Sequence, residues 1–442
     1  MNTHQAHKNS RQASVLIIVL WVAFGLVSLT LYFAHSMLMD LKAADNRAAG
    51  LEADQAIEGA ALYVSNVLAN RINMMAIPSA AGFRAHAGKI GDAKFWLIGR
   101  DTNDLQISSQ ADASPFWGLV DEAGKVNLNY TAATNFQNLP QMTVNTAAAM
   151  FDWQSTNTNP STDGAKSETY NMLQPPYNCK NAPYETIDEL RLVNGLTMDL
   201  LYGEDANLNG ILDPNENDGM KLPPFDNQDG IMDAGLFEYV TTWSREPLVG
   251  TNGSPRVVVN NLTALQSLIS SNFPSLTSYM GNLNGNAPSN VMDFYLRSKI
   301  PETSFQQVEP YIVNPQRNGM ININTATATA LACIPGIGTQ VAPSVLTYRQ
   351  SNPPMVPSIT WLVNALQNNT ANLEAAGPYI TAYSFQFTAD VVAVGHENRG
   401  YRRVRFVFDC SSGTPLIVYR QDLTNLGWPL GKKLHDQLLA QK

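Results

Sequence analysis

The chain has 442 residues and a formal net charge of −9, and only 15% of its residues are Asp, Glu, Lys or Arg. That length suits two or three lobes, and the acidic balance argues against broad phosphate binding, because nucleic-acid binders usually show a basic face. Three cysteines, Cys179, Cys333 and Cys410, are too few and odd in number for a disulfide framework. One bridge and free buried thiols both stay open.

From Ser14 to Met39 no charged residue interrupts "SVLIIVLWVAFGLVSLTLYFAHSMLM", and about 20 apolar residues cross a bilayer as a helix. Lys8 and Arg11 precede the run and Asp40 follows it, which keeps the leader in the cytoplasm and sends the bulk outward. A secretory signal peptide shares this charge layout. Here, however, no A-x-A site ends the run, and "DLKAADNRAAGLEADQAIEGAALYVSNVLANR" continues without proline to Arg71. Leu51, Ala56, Ala60, Tyr63, Val64, Val67 and Leu68 recur at helical spacing. The pattern predicts a stalk helix, half in lipid and half packed on a globular part.

"RQASVLIIVLWV" resembles the leader and first helix of the K-type minor pseudopilins of the type II secretion system (GspK family). By that resemblance a prepilin peptidase cuts between Ala13 and Ser14. Pilins generally carry Glu at the fifth mature position; Ile18 stands there. A glutamate buried in lipid needs a partner, so a subunit with isoleucine suits a place with nothing above it.

Beyond the stalk, "KFWLIGR", "DLQISSQ" and "FWGLVDEAGKVNLN" read as short strands. So do "YSFQFTADVVAVG", "YRRVRFVFDCS" and "TPLIVYRQD" at the far end. Arg403, Arg405 and Asp409 alternate with Val404, Phe406 and Phe408, which predicts a half-buried antiparallel sheet. The two ends of the chain are expected to form one sheet on the stalk, with the middle inserted.

The insert repeats itself. "GKVNLNYTAATNFQNLPQMTVNTAAAMFDWQ" from Gly124 aligns without a gap with "GMININTATATALACIPGIGTQVAPSVLTYRQ" from Gly319. Asn127 falls on Asn322, Asn129 on Asn324, Leu139 on Ile334, Pro140 on Pro335, Ala147 on Ala342 and Trp153 on Tyr348. Each copy reads as helix, hairpin, helix, with Asn129 or Asn324 opening the cap of its first helix. A phosphate-gripping hairpin needs open glycine N–H groups and nearby Lys or Arg. Gly336 and Gly338 are present, but no Lys or Arg lies between Arg317 and Arg349, and the first copy has Gln141 and Thr143 instead. Both hairpins therefore read as scaffolding packed by Leu139, Met142, Ile334 and Ile337, and no nucleic-acid partner is expected. Between them, "APYETIDELRLVNGLTMDLLYG" predicts another helix-turn-helix element, with Leu190, Leu192, Val193 and Leu196 apolar.

"DANLNGILDPNE" fits a twelve-residue calcium loop. Asp205, Asn207, Asn209, the Ile211 carbonyl, Asp213 and Glu216 fall at the ligand positions, and Gly210 falls at the turn. A hard cation takes six to eight oxygens, and this spacing supplies them. In "DNQDGIMDAG", Asn227, Asp229, the Ile231 carbonyl and Asp233 recur at the same steps. Phe225 and Leu236 replace the two end carboxylates, so Asp226, Asp218 or Glu238 would have to complete a second, less complete site. From Glu204 to Glu238 nine carboxylates face one base, Lys221. The expected cofactor is structural Ca2+, at the first loop and, with a less complete ligand set, at the second. Pro223 and Pro224 stop an exiting helix, which suits a clamp rather than a switch.

The six histidines (His4, His7, His35, His86, His396, His435) sit in no nucleophile, zinc, Walker or dinucleotide pattern, so no enzyme is expected. "DWQ", "DGAKSETYN", "APYETIDELRLVNGLT", "YGEDAN" and "GYRRVRFVFD" extend the K-type resemblance over most of the chain. It implies an α+β fold: a long membrane-spanning helix on an antiparallel pilin-like sheet, with a large helical insert holding the two hairpin repeats and a paired calcium site. The parts are a leader (1–13), the membrane (14–34) and periplasmic (35–71) halves of the helix, first sheet part (72–120), insert (121–318), second hairpin segment (319–378) and last sheet part (379–442). The implied role is at the tip of the pseudopilus, single-pass in the bacterial inner membrane with the bulk in the periplasm. Implied partners are other minor pseudopilins, the major pseudopilin and the prepilin peptidase. Two rival readings are a membrane-tethered DNA receptor of a competence system and a minor subunit of a type IV pilus.

Overall fold

The computed structural model describes residues 6–71, 75–102, 115–250 and 253–440. One unbroken helix spans Ala6–Arg71, about 100 Å at 1.5 Å per residue. Among the described residues it is the helix long and apolar enough to cross a membrane, and its side chains from Val15 to Met39 are exposed. Its second half is pressed against the globular part through Ala49, Ala53, Ala56, Ile57, Ala60, Val64 and Leu68. Small side chains on this face let backbone approach backbone. At Gly400, whose φ is +69°, a Cβ would lie 2.3 Å from the Ala49 carbonyl carbon.

Leu51, expected on that buried face, is 65% exposed. It lies two residues from Ala53, about 200° around the helix, and so points away. Ala53 and Ile57 take the place assigned to it.

After the stalk come β1 (Gly88–Ile90), β2 (Ala93–Ile98) and β3 (Val120–Asp121). The "DLQISSQ" segment lies outside the described residues. Then follows the insert, stapled by three short parallel pairs: β4 (Val126–Asn127) with β5 (Val240–Thr241), β6 (Val257–Val258) with β7 (Ile312–Val313), and β8 (Ile321–Asn322) with β9 (Ile380–Thr381). In each, the N–H just past the first strand donates to the second: Leu128 to Thr241 at 2.9 Å, Val259 to Val313 at 3.1 Å, Ile323 to Thr381 at 3.1 Å. Asn127 and Asn322 donate their side-chain amides to the hydroxyls of Ser244 (3.0 Å) and Ser384 (2.7 Å).

Among the described residues the repeat thus has three copies where sequence alignment finds two. In the middle copy Val258 replaces the asparagine, and a helix at Leu262–Asn272 replaces the hairpin. The readable trace was in the partner strands, "EYVT", "PYIV" and "PYIT".

The chain returns as β10 (Gln386–Val394), β11 (Arg402–Asp409) and β12 (Leu416–Asp422). The sheet runs β1-β2-β10-β11-β12, antiparallel, with β3 also on β10. Both ends of the sequence therefore build one sheet on the stalk. The expectation of a half-buried sheet fails at β10 and β11, while β12 stays largely exposed. All nine residues of β10 are buried, and so are Arg403 and Asp409. The second face is covered by the insert and by a C-terminal helix, Gly431–Ala440, that the sequence reading left within the sheet region. Leu430 and Leu438 pack there on Trp96, Ile98, Val392 and Val394. The alternating arginines hid this, because a paired guanidinium can be buried as readily as it can be solvated.

Both hairpins form, between helices Ala133–Phe136 and Val144–Gln154, and between Ala328–Ala332 and Gly338–Ser351. Leu139, Ile334 and Ile337 are buried. Gly336 has φ +81°, and Gln141 holds the same left-handed position at +54°. The caps differ from expectation. Thr327 caps the second copy's first helix, and Ala132 precedes the first copy's without a side-chain bond. Asn129 instead brackets the Tyr184 backbone, accepting its N–H at 2.7 Å and donating to its carbonyl at 3.0 Å. Asn324 accepts from the Trp361 indole at 2.9 Å. Each asparagine ties its copy to a neighbouring loop. The expected helix-turn-helix at 183–203 is a 3-10 turn, Ile187–Leu192, then Met198–Tyr202. Leu190 and Val193 are buried, while Leu192 is exposed.

Candidate metal centre

The first acidic loop is wedged behind the sheet. Asp205, Asn207, Asn209, Asp213 and Glu216 are all buried, which polar side chains tolerate only when their lone pairs are engaged. Asp205 accepts the N–H groups of Asn209 and Gly210, both at 2.9 Å. Asn207 accepts from Asn209 at 3.0 Å and Asn209 from Ile211 at 2.8 Å. These nested turns wind the loop into a coil, with Gly210 at φ +76° making the reversal. Glu216 closes the coil by accepting from Ala206 and Asp213, each at 3.0 Å. The Asp213 carboxylate takes the amides of Asn207 (2.8 Å) and Asn209 (2.9 Å).

Electrostatics favour a positive guest. Burial pushes the Glu216 carboxyl up to about 8, and the nearby charge of Asp205 adds to this. Burial also raises Asp205, opposed by the Arg100 guanidinium, and Asp213, opposed by its two asparagine donors. Three buried carboxyls that resist ionising are what a bound cation would relieve. Among the described residues no group of three His, Cys, Asp or Glu side chains is gathered as a metal cluster. The loop's donors are mixed, carboxylate with carboxamide and carbonyl oxygen, a set that suits a hard cation such as Ca2+.

The second loop repeats the winding in a more open setting. Asn227 accepts from Asp229 and Asp229 from Ile231, both at 2.8 Å, with Gly230 at φ +77°. Asp226 caps the turn before it, accepting from Asp218 (2.8 Å) and Gly219 (2.7 Å). Asp218, a candidate to complete this loop, accepts instead from Leu222 at 3.2 Å. Glu238, another candidate, is held by Arg100 with both oxygens at 2.9 Å. The carboxylate that arrives is Glu204, which sequence reasoning missed. It accepts from Asp233 at 2.9 Å and Asn227 at 3.5 Å, much as Glu216 accepts from Asp213 and Ala206. Glu204 precedes the first loop rather than following the second. It lies further upstream than the candidates Asp218 and Asp226, on the far side of the first loop, so only the folded chain brings it to the second.

Two arginines hold the first loop to the sheet. Arg403 donates to the Asn207 carbonyl and to the Leu208 carbonyl at 2.8 Å, and Arg100 reaches the same Leu208 oxygen at 3.0 Å. Arg403 also pairs with Asp390 at 2.7 Å. Against the cost of burial, Arg403 and Arg405 hold the Asp390 carboxyl down at about 2. From the other side, the Pro429 carbonyl accepts from Asn209 at 3.1 Å. Ala13 and Ser14 lie within the stalk helix, but their side chains are outside those described.

The first acidic loop, which begins at Asp205, lies just beyond a segment that matches a known family. Residues 127–202 match the family described as "Type II secretion system (T2SS), protein K", and residues 316–362 match the helix-hairpin-helix motif. A search of curated proteins found no match. Among solved structures, the chain is similar to the GspK-GspI-GspJ complex from the enterotoxigenic Escherichia coli type 2 secretion system, at 9% identity and a TM-score of 0.45. The likeness covers 84% of this chain and 96% of that one. Residues 127–202 are thus similar to the protein K family of the type II secretion system, and the second hairpin to the helix-hairpin-helix motif.

Proposed function

We propose that this protein caps or starts the pseudopilus, standing at its tip with other minor pseudopilins and so supporting export across the outer membrane. One observation carries the reading: the family domain lies in a large insert between β3 and β10, mounted on a sheet that a membrane-length helix carries. An insert of some 260 residues between two paired strands adds bulk beside the stalk, where a further subunit would otherwise pack. The stalk would be processed between Ala13 and Ser14 by the prepilin peptidase and anchored in the inner membrane with its bulk in the periplasm. The major pseudopilin would follow below.

Within this reading the acidic loops hold structural Ca2+. Asp205, Asn207, Asn209, the Ile211 carbonyl, Asp213 and Glu216 would hold the first ion. Asn227, Asp229, the Ile231 carbonyl and Asp233 would hold a second, with Glu204. The ion supplies charge neutralisation that the buried carboxylates lack and fixes the insert to the sheet. The DNA-receptor reading gains nothing here. Arg349, the base nearest the second hairpin, is buried and spends its guanidinium on the carbonyls of Ile323 (2.9 Å) and Ala326 (2.7 Å).

The test is copurification of the full chain from membranes with candidate minor pseudopilins, in calcium and in chelator. A stable complex that includes this chain supports the tip role. Its failure to form with any of them, while the protein is folded, would sink it.

A further inference from the structure

One buried guanidinium meets carbonyls but no carboxylate. Arg349, in the second helix of the second hairpin, is 3% exposed. Its Nη1 donates to the Ile323 and Ala326 carbonyls and its Nη2 to the Thr102 carbonyl at 2.7 Å. Its Nε is buried without a partner. Carbonyl oxygens satisfy N–H groups but leave the full charge unanswered, and a charge out of water is costly unless an opposite one meets it. Burial lowers the Arg349 pKa to about 10, and Asp101, which opposes this, acts only through space. The same side chain lines a cleft of about 490 Å³, a size that suits a small ligand. A second wall of that cleft is the loop "PPMVP", residues 353–357. Met355 on it is wholly exposed and Val356 is 45% exposed.

We infer that this cleft receives the C-terminal carboxylate of another polypeptide, with an apolar last side chain laid against the "PPMVP" loop. The chemistry of the walls selects that ligand. Asn322 and Thr325, which also line the cleft, donate to Asp121 at 3.3 and 2.5 Å. Asn324 donates to Asn322 at 3.2 Å and to the Ala382 carbonyl at 3.4 Å. A neutral polar ligand therefore finds no free donor among these three, whereas a negative one answers the Arg349 charge. The proline-rich wall favours an apolar group beside that charge. An internal aspartate or glutamate brings the charge without the apolar group, while a C-terminal residue carries both. Among the described residues no hydrogen bond reaches the main-chain carbonyls of residues 353–357. They are open to the N–H groups of an extended peptide, which a fatty acid lacks. This inference is independent of the pseudopilin reading.

The test is fluorescence polarisation on the full chain with a labelled peptide ending in leucine, as the free acid and as the carboxamide. The acid is expected to bind and the amide to bind about tenfold more weakly, the weight of roughly one charge-assisted hydrogen bond. Met355→Asp changes a wholly exposed side chain at the cleft. It should melt like wild type and bind the acid about tenfold more weakly. Arg349→Gln should bring acid and amide to the same affinity; if that buried substitution unfolds the chain, Met355→Asp still decides. Equal binding of acid and amide to wild type overturns the proposal, and so does no binding of the acid at millimolar peptide. Displacement of the peptide by an equal concentration of octanoate assigns the cleft to a free amphiphile and overturns it as well.

Discussion

The guanidinium of Arg403 passes its charge to Asp390 on the sheet and its hydrogen bond to the Leu208 carbonyl in the first acidic loop, at 2.7 and 2.8 Å. A residue on a sheet strand thereby becomes the peg on which the insert hangs. Replacing it with methionine leaves the Asp390 carboxylate buried with Arg405 as its remaining partner, at 3.1 Å. Breaking such a pair costs about 3–5 kcal/mol. The expected outcome for Arg403→Met is a large fall in the urea midpoint together with weaker calcium stabilisation. A variant with wild-type stability would show that the peg is dispensable.

Calcium removal is the direct check on the loops. Saturating calcium at about 100-fold over its dissociation constant adds about 2.7 kcal/mol to stability by mass action. The melting midpoint should rise in calcium and fall in chelator, and Glu216→Gln should lose most of that difference. Equal midpoints in both buffers would count against a structural ion.

Glu204 separates the two loops experimentally. With Glu204 on the second loop, Glu204→Gln should remove the weaker phase of a calcium titration and leave the stronger one. Glu238→Gln should leave both phases and act on stability through Arg100 instead. Calorimetric titration of the two variants reads this. Loss of the second phase in Glu238→Gln alone would return the role to that residue.

The stalk is latched to the sheet by a histidine. His396 meets Glu52 at 2.8 Å and Asp45 at 3.0 Å on the helix. Hydrogen bonds to Glu52 and then Asp45 raise the His396 pKa, and the backbone and side-chain bonds from His396 lower that of Glu52. The raised histidine stabilises the fold below its ordinary value near 6.5 and stops doing so as pH climbs through its folded value. The lowered glutamate stabilises above its ordinary value and loses that effect as pH falls through its folded value. Wild type should therefore exceed His396→Gln in melting temperature at mildly acid pH, with the gap closing toward pH 8. A gap independent of pH would mean that packing, not charge, holds the latch.

The hairpins give a negative test. With Arg349 buried and no other base in the second hairpin, duplex DNA should show no salt-sensitive shift at micromolar protein. A shift that disappears with added salt would revive the receptor reading.

Much of this protein is local enough to be legible in its sequence. The apolar run, the alanine-rich stalk, the strands at both ends, the paired hairpins and the winding of the acidic loops all follow from spacing within short windows. Chain-level periodicity sets which residues can share a face, and glycines at 210 and 230 set where a loop can reverse. Partners brought from afar were not legible. Arg403 reads as a solvent-facing residue until a loop some 195 residues earlier covers it, and Glu204 reads as a loop residue until it folds onto the loop that follows. The middle repeat was hidden because its geometry is kept by main-chain bonds that do not depend on side-chain identity. Sequence alone determined the elements and their local chemistry, because short-range sterics and hydrogen bonding fix those. Which face of the sheet is buried, which carboxylate completes which loop, and which strand edge stays open were decided only by tertiary packing, where charges far apart in the chain meet out of water.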